Sequence, residues 1–492
     1  MSIITYFSVS VTLIALIAYY AVPGRQQWKV LLGASIVYFA LCSPIGTAAM
    51  VFCSLFSYFA AKEIAKSSKT GARRCLLVSS VLLYLAAWVI VKEFSGAFGN
   101  HVFLFSTLRI SETATTLGVS YFLLRFISYT ADVYTRKCEP EGCFFRLLLF
   151  YIYFPAVLEG PIERYGSFGE KLFPVSKTKI SYENIRQAGI LILQGFFKLF
   201  VVSRFCAQFT QYMNDPEGKN ALFLIFIAIL YSFQIYADFS GGIDIIRGLS
   251  FLFGIGLSEN FRLPYLSQSF SEFWKRWHIT FSAWLKDYIY IPLGGSRKGK
   301  ARIYLNLLIV FAVSGLWHGF GLTFFIWGLL QAIYQIVERL FRSDKDRERG
   351  EKKPNLVIYL LKSLKVFLLS TFTWVFFNAE SLSHVGRYFS AVFASFKKVS
   401  SVGIGGLIHA ANADLYKYSP MIRKAFFFYV FLIAAMTIYS IIKDRTGFDI
   451  TDPEKTKVGI RWTYYTVILI LVLVFGYYGD TFTLQSFIYG AF

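Results

Sequence analysis

The sequence predicts an all-α polytopic membrane protein, with ten or more transmembrane helices plus short re-entrant or interfacial helices around a central cavity. Three observations lead there. Apolar side chains make up 56% of the 492 residues, charged ones only 16% and aromatic ones 19%. Mean hydropathy is +0.52. The charges that do occur bound long uncharged runs instead of interrupting them. Soluble domains average about 25% charged residues, so a disordered chain, a collagen-like chain and an ordinary cytosolic enzyme are excluded. The 50 basic and 29 acidic residues leave a net charge of +21, which in so apolar a chain points to a bilayer and not to nucleic acid. Residues 1–492 read as a single membrane domain in the cell membrane.

A spanning helix needs roughly 20 mostly apolar residues. The clearest uncharged runs are 1–24, 30–61, 75–91, 220–237, 303–337, 425–442 and 462–479; runs 113–134, 147–158, 186–213 and 355–379 are less uniform. The first run lacks the basic start of a cleavable signal peptide and reads as a retained helix. Arg25 and Lys29 precede the second run, and Lys62, Lys66, Lys69, Arg73 and Arg74 follow it. Basic loops face the cytosol, so one crossing cannot satisfy both flanks. Pro44 and Gly46 therefore predict a tight hairpin of two short helices. Run 75–91 then exits, 113–134 returns, and Arg136, Lys137 and Arg146 lie inside, which places the N-terminus outside.

Run 147–158 is too short to span and ends in Glu159-Gly160-Pro161-Ile162-Glu163-Arg164. It reads as re-entrant, a form tolerated at membrane depth only against protein or a water-filled cavity. The linkers 342–353 and 443–461 mix both charge signs and read as cytosolic loops. The six cysteines, Cys42, Cys53, Cys75, Cys138, Cys143 and Cys206, form no C-x-x-C pair. The Cys138/Cys143 spacing has no second pair to complete a zinc site, and no metal is expected.

Between Tyr236 and Gly321 ionisable residues enter apolar, aromatic stretches. Such residues usually face a cavity or one another and mark function. Asp238 follows a long uncharged run, and Asp244 and Arg247 share a helical face as either a site or an internal ion pair. Read as one helix, Glu272-Phe273-Trp274-Lys275-Arg276-Trp277-His278 and the residues up to Asp287 place Trp274, His278, Phe281 and Leu285 on one stripe. That composition suits an interfacial anchor as well as a site. His318 lies near the middle of run 303–337, among Gly315, Gly319 and Gly321, where small residues permit close approach. A neutral imidazole there is an obvious general base, with a buried structural histidine as the alternative. His101, His384 and His409 fall in loop-like stretches and carry no such pattern.

Gly294-Gly295-Ser296-Arg297-Lys298-Gly299-Lys300-Ala301 matches G-x-x-x-x-G-K but lacks the Ser/Thr that would hold Mg²⁺, so it is not read as a P-loop. Its Arg297, Lys298 and Lys300, with Arg302, form a basic cytosolic turn. Anionic ligands suit it, either phospholipid headgroups or the phosphates of a soluble carrier such as coenzyme A.

These residues resemble the membrane-bound O-acyltransferase family, in its bacterial alginate O-acetyltransferase-like branch. The strings that carry the resemblance are Tyr236-Ala237-Asp238-Phe239-Ser240-Gly241, Glu259-Asn260-Phe261, Pro264-Tyr265-Leu266-Ser267-Gln268-Ser269, Glu272 to His278, Trp284-Leu285-Lys286-Asp287-Tyr288, Leu293 to Gly299 and Gly315-Leu316-Trp317-His318-Gly319. Phe154-Pro155, Gly160-Pro161-Ile162, Trp374-Val375-Phe376-Phe377 and Phe487-Ile488-Tyr489 extend it along the whole chain.

The resemblance implies transfer of an acyl group, acetyl first, from a cytosolic thioester to a hydroxyl of a cell-surface or exopolysaccharide. His318 aligns with the family's catalytic histidine and His278 with a second, supporting position. Trp274, Arg276, Trp317 or backbone N–H groups are candidate oxyanion donors, and Asp287, Arg297 and Lys298 complete the candidate substrate-binding set. The donor would be acetyl-CoA, bound as substrate and not as a resident cofactor, or alternatively an acylated carrier protein delivering D-alanine to teichoic acid. Short linkers imply a separate extracytoplasmic acyltransferase or relay partner. No cysteine adjoins His278 or His318 in the sequence, which favours direct transfer over a Cys-linked intermediate. Asn378 stands where this branch commonly has Arg. A polysaccharide or lipid transporter is the alternative from another class, but it needs no paired imidazoles and should show repeated halves, which are not found.

Overall fold

The computed structural model describes residues 6–98, 119–156, 160–341, 355–397, 399–418 and 426–478. Its regular structure is helical, with no strand among the described residues. Nine stretches of them are long and apolar enough to cross a membrane, and two shorter apolar helices accompany these. The chain is an all-α, multi-pass membrane protein. It forms two compact units, one built from Met1–Gly195 with Gly242–Glu259, the other from Phe196–Gly241 with Asn260–Gly479.

The first unit opens with α1 (Tyr6–Ala21), α2 (Gly24–Cys42), α3 (Pro44–Lys66) and α4 (Thr70–Phe98). The break expected near Pro44 is present, but the legs are not short. Proline is tolerated at a helix start because its missing N–H would have no partner there, and the Ser43 hydroxyl accepts from the Gly46 N–H at 3.1 Å to cap that start. Each leg also extends past the apolar run into its basic flank, so α2 begins at Gly24 and α3 runs to Lys66.

Next come α5 (Val119–Tyr134), α6 (Phe144–Ile152), α7 (Tyr165–Leu172) and α8 (Tyr182–Phe196). The expected short element is α6, which ends at Ile152 and passes into one tight turn, Phe154–Ala156; residues 157–159 lie outside the described set. A helix that stops in an apolar setting leaves carbonyls without partners. Here the Arg125 guanidinium, 1% exposed, takes them up. Its Nη1 donates to the carbonyls of Phe150 and Tyr151, both at 3.2 Å, and its Nη2 to those of Ala156 at 3.2 Å and Pro161 at 3.3 Å. The buried Glu163 beyond it accepts from the Ser258 N–H at 2.6 Å and hydroxyl at 3.0 Å.

In the second unit, α9 (Arg204–Thr210) follows a π-helical turn, Phe197–Ser203. Then come α10 (Ala221–Leu252, whose last turns belong to the first unit), α11 (Phe270–Arg276), α12 (Ile279–Leu285) with a second π-helical turn, Lys286–Tyr290, and α13 (Lys300–His318) with α14 (Leu322–Phe341). The unit closes with α15 (Leu356–Asn378), α16 (Leu382–Lys397), α17 (Val399–Tyr418), α18 (Phe426–Thr446) and α19 (Val458–Phe475). His384 and His409 lie on α16 and α17 and not in loops; the buried His384 Nε2 sits 3.1 Å from the Met213 carbonyl. His101 lies outside the described residues, as does the whole of the linker 342–353.

Arg125→Met should leave four carbonyls without a charged donor and lower the thermal midpoint of the detergent-solubilised protein by at least about 5 °C. Arg125→Lys should recover little of this, because a point charge cannot reproduce the planar fork. A midpoint unchanged in Arg125→Met would show that the carbonyls do not depend on the guanidinium.

Candidate functional site

Two sequence readings change in the second unit, and both changes build the site. The stretch from Glu272 to Asp287 is not one helix. It breaks at His278, whose φ of 44° and ψ of 55° lie in the left-handed region. For a residue with a Cβ that conformation costs about 1–2 kcal/mol. The apolar stripe predicted across the break therefore dissolves, and His278 sits at a corner between two seven-residue helices. Nor is His318 in the middle of a span. The run 303–337 folds back on itself, and His318 is the last residue of α13, beside the turn into α14.

Two glycines set that hairpin. A Cβ at Gly315 would lie 2.3 Å from the Phe324 carbonyl oxygen, and one at Gly328 would lie 2.1 Å from the Phe311 carbonyl oxygen. The backbones of α13 and α14 thus touch at two levels, the close approach that small residues allow. Loss of either contact would swing the end of α13 and His318 with it.

The imidazoles are nearly sealed, His278 at 1% and His318 at 2% exposure. Aromatic rings form the walls. Phe281 lies 4.9 Å from His278 and 6.0 Å from His318 between ring centroids, and Trp317 lies 6.4 and 4.8 Å from the same two. Phe239 stands edge-on to His278 at 4.9 Å. Trp327 and Phe377 stand edge-on to His318 at 5.3 and 5.2 Å.

Trp274 packs 6.0 Å from Trp327, which stacks on Trp374 at 5.7 Å, and Trp374 lies 5.1 Å from Trp277. The Nε1–H groups of these four indoles are buried without a hydrogen-bond acceptor among the described residues. Indole N–H groups usually find a partner when buried, so a cluster of four is a reserve of donors beside the histidines. Trp327 lies in an uncharged run with no motif around it, and only its aromatic character could have drawn attention to it. Asn260 and Trp374 stood in family-like strings without an assigned role.

The other predicted residues lie in different settings. The Arg276 guanidinium binds two carboxylates, Glu272 and Asp444, each at 2.6 Å, and the Tyr359 hydroxyl donates to Asp444 at 2.8 Å. Arg276 thereby ties α11 to α15 and α18. Asp287 is half-buried in the second π-helical turn, and such turns are frequent at functional sites. Arg297 and Lys298 are exposed on the Gly-rich turn before α13. The buried Asn306 holds that turn by donating to the Gly295 carbonyl at 3.0 Å, and Arg302 donates to the Leu293 carbonyl at 3.2 Å. Asn378 donates to the Asn214 side chain at 3.2 Å.

Two buried imidazoles in an aromatic enclosure, within a multi-pass membrane protein, mark this cluster as the candidate site. The profile of the membrane-bound O-acyltransferase family matches residues 31–344, and the chain belongs to that family. It is an O-acyltransferase. It is 30% identical over 389 residues to the peptidoglycan O-acetyltransferase of Helicobacter pylori, a match covering 73% of this chain and 71% of that one. A Pseudomonas putida protein named probable alginate O-acetylase is 29% identical over 385 residues, 76% of each chain. The teichoic acid D-alanyltransferase of Bacillus subtilis is 28% identical over 235 residues, 46% of this chain and 59% of its own.

Gly328→Val should force α13 and α14 apart and reduce polymer acylation by at least about tenfold at matched membrane levels, since a shift of about 1 Å in a catalytic group costs roughly a hundredfold. Wild-type acylation in that variant would show that His318 does not depend on the hairpin contact.

Proposed function

We propose that the protein moves an acetyl group from a cytosolic thioester to hydroxyls of a cell-surface polysaccharide, with His318 as general base. The supporting observation is the pair of sealed imidazoles at a helix corner and a hairpin end, in a chain whose relatives are named O-acetyltransferases of peptidoglycan and alginate. In this reading His318 takes the proton of an acceptor hydroxyl, either the polymer's own or that of a relay protein on the outer face. The hydroxyl oxygen attacks the thioester carbonyl, the C–S bond breaks, and the departing thiolate takes up the proton from His318. Charge on the carbonyl oxygen needs donors already in place; the Trp274 indole N–H, buried and uncommitted, supports that role better than Arg276, which is held by two carboxylates. His278 would orient the acceptor or the second imidazole.

The basic turn at Arg297, Lys298 and Lys300 suits the phosphates of acetyl-CoA as the donor. An acidic carrier protein would suit it too, and the similarity to the teichoic acid D-alanyltransferase keeps D-alanyl transfer as the second reading. Arg297→Ser with Lys298→Ser should raise the donor KM several-fold with kcat kept, and added salt should shrink the difference from wild type. A kcat loss at unchanged KM would remove the turn from donor binding.

The central test complements a deletion strain with wild type, His318→Ala or His278→Ala, confirms membrane expression, and measures ester-linked acid released from surface polymers by mild base. His318→Ala should release at least about a hundredfold less acid than wild type. Acetate in the wild-type sample supports the acetyl reading, and D-alanine replaces it with the second. Full acylation by His318→Ala would remove that residue from the role of base.

A further inference from the structure

We infer that Asn260 is the positioning residue of His278, supplying from outside the helix the cap that α12 cannot supply for itself. This rests on the reading that His278 serves the reaction. A helix start exposes N–H groups that a residue at the N-cap normally takes up with its own side chain. At α12 the N-cap position is His278, in the left-handed region and with no side-chain bond to the helix start. Asn260, fully buried and distant in sequence, takes that place. Its backbone carbonyl accepts from the Ile279 N–H at 3.0 Å. Its Oδ1 accepts from the Thr280 N–H at 3.0 Å and from the Thr280 hydroxyl at 2.7 Å. The first two N–H groups of α12 thus close on one residue, and the His278 ring is released from capping to face the aromatic enclosure.

A second backbone bond fixes the same corner from its other side. The Arg262 N–H donates to the Arg276 carbonyl at 2.9 Å, so the segment from Asn260 to Arg262 clasps the chain just before and just after His278. Phe261, between these two clasps, lies 6.5 Å from the His278 ring and nearly parallel to it. The chemistry of the clasp is that of an acceptor: both uses of the Asn260 side chain are through Oδ1, while its Nδ2 has no acceptor among the described residues. A carboxylate at this position keeps every bond the amide makes. Alanine keeps only the backbone one.

The experiment measures the initial rate of polymer acylation in the complemented deletion strain at matched membrane levels, for Asn260→Ala, Asn260→Asp, Thr280→Val and His278→Ala. Asn260→Ala should slow acylation by about tenfold or more, Asn260→Asp should stay within about threefold of wild type, and Thr280→Val, which loses one of the two Oδ1 bonds, should fall between them. Recovery by Asp shows that the Oδ1 acceptor suffices without the amide N–H, and Thr280→Val separates positioning from bulk packing, because it keeps the volume of Thr280 and removes only its hydroxyl bond to Asn260 Oδ1. A wild-type rate in Asn260→Ala, or a rate in Asn260→Asp as low as that of Asn260→Ala, overturns the inference. Should Asn260→Ala fail to accumulate, Asn260→Asp and Thr280→Val decide it: a retained rate in the first with a reduced one in the second supports positioning, and a lost rate in the first overturns it. His278→Ala separates this inference from its premise: full acylation there removes His278 from the reaction, whereas a loss in His278→Ala with none in Asn260→Ala leaves the functional reading intact.

Discussion

The second unit depends on a backbone conformation that its sequence makes unfavourable. At His278 the chain enters the left-handed region, where a Cβ crowds the following carbonyl. Such strain persists only where the surroundings over-determine it. Here the surroundings are backbone bonds on both sides of the corner and the packing of Trp277, Phe261 and Phe239 around it. The corner ends α11 so that Arg276 meets Asp444, and it starts α12 so that Phe281 stands between the two imidazoles. A continuous helix from Phe270 to Leu285 would carry the same side chains and bring neither pair together.

Charge and aromaticity divide the labour in this unit. Around the histidines the walls are rings, and an apolar enclosure strengthens any hydrogen bond or proton transfer inside it. Away from them, ion pairs hold helix ends: Arg276 with Glu272 and Asp444, and Glu338 with the Phe270 N–H at 2.7 Å and Lys365 at 3.2 Å. These strong charges thus anchor the frame, while the rings named around the two histidines are neutral.

The sequence displayed the fold class through its uncharged runs, and it singled out both histidines. Chain breaks were harder to read. Pro44 announces one because proline is chemically marked, and the structure breaks the helix there. The break at His278 has no Gly or Pro, since it is imposed by Asn260 from another segment, and no local pattern encodes a partner that distant. The fold-back after His318 was hidden because a hairpin of two apolar helices has the same composition as one long run, and the glycines that mark it act through contacts with Phe324 and Phe311. Arg276 stood among the candidate oxyanion donors because the sequence does not show Asp444 folding onto it. The indole cluster was invisible for the same reason: Trp274, Trp277, Trp327 and Trp374 come from three helices and the corner after α11.

The bonds of Arg125 in the first unit bear on how the chain enters the bilayer. A helix with an uncompensated guanidinium in its apolar body partitions poorly into lipid, and α6 is too short to be held there by its own hydrophobicity. Each supplies what the other lacks, because the carbonyls at the end of α6 and in the turn after it are the acceptors that shield the charge on α5. The polar groups of the two segments are therefore satisfied only together: neither the guanidinium on α5 nor the open carbonyls from Phe150 to Pro161 would be matched without the other.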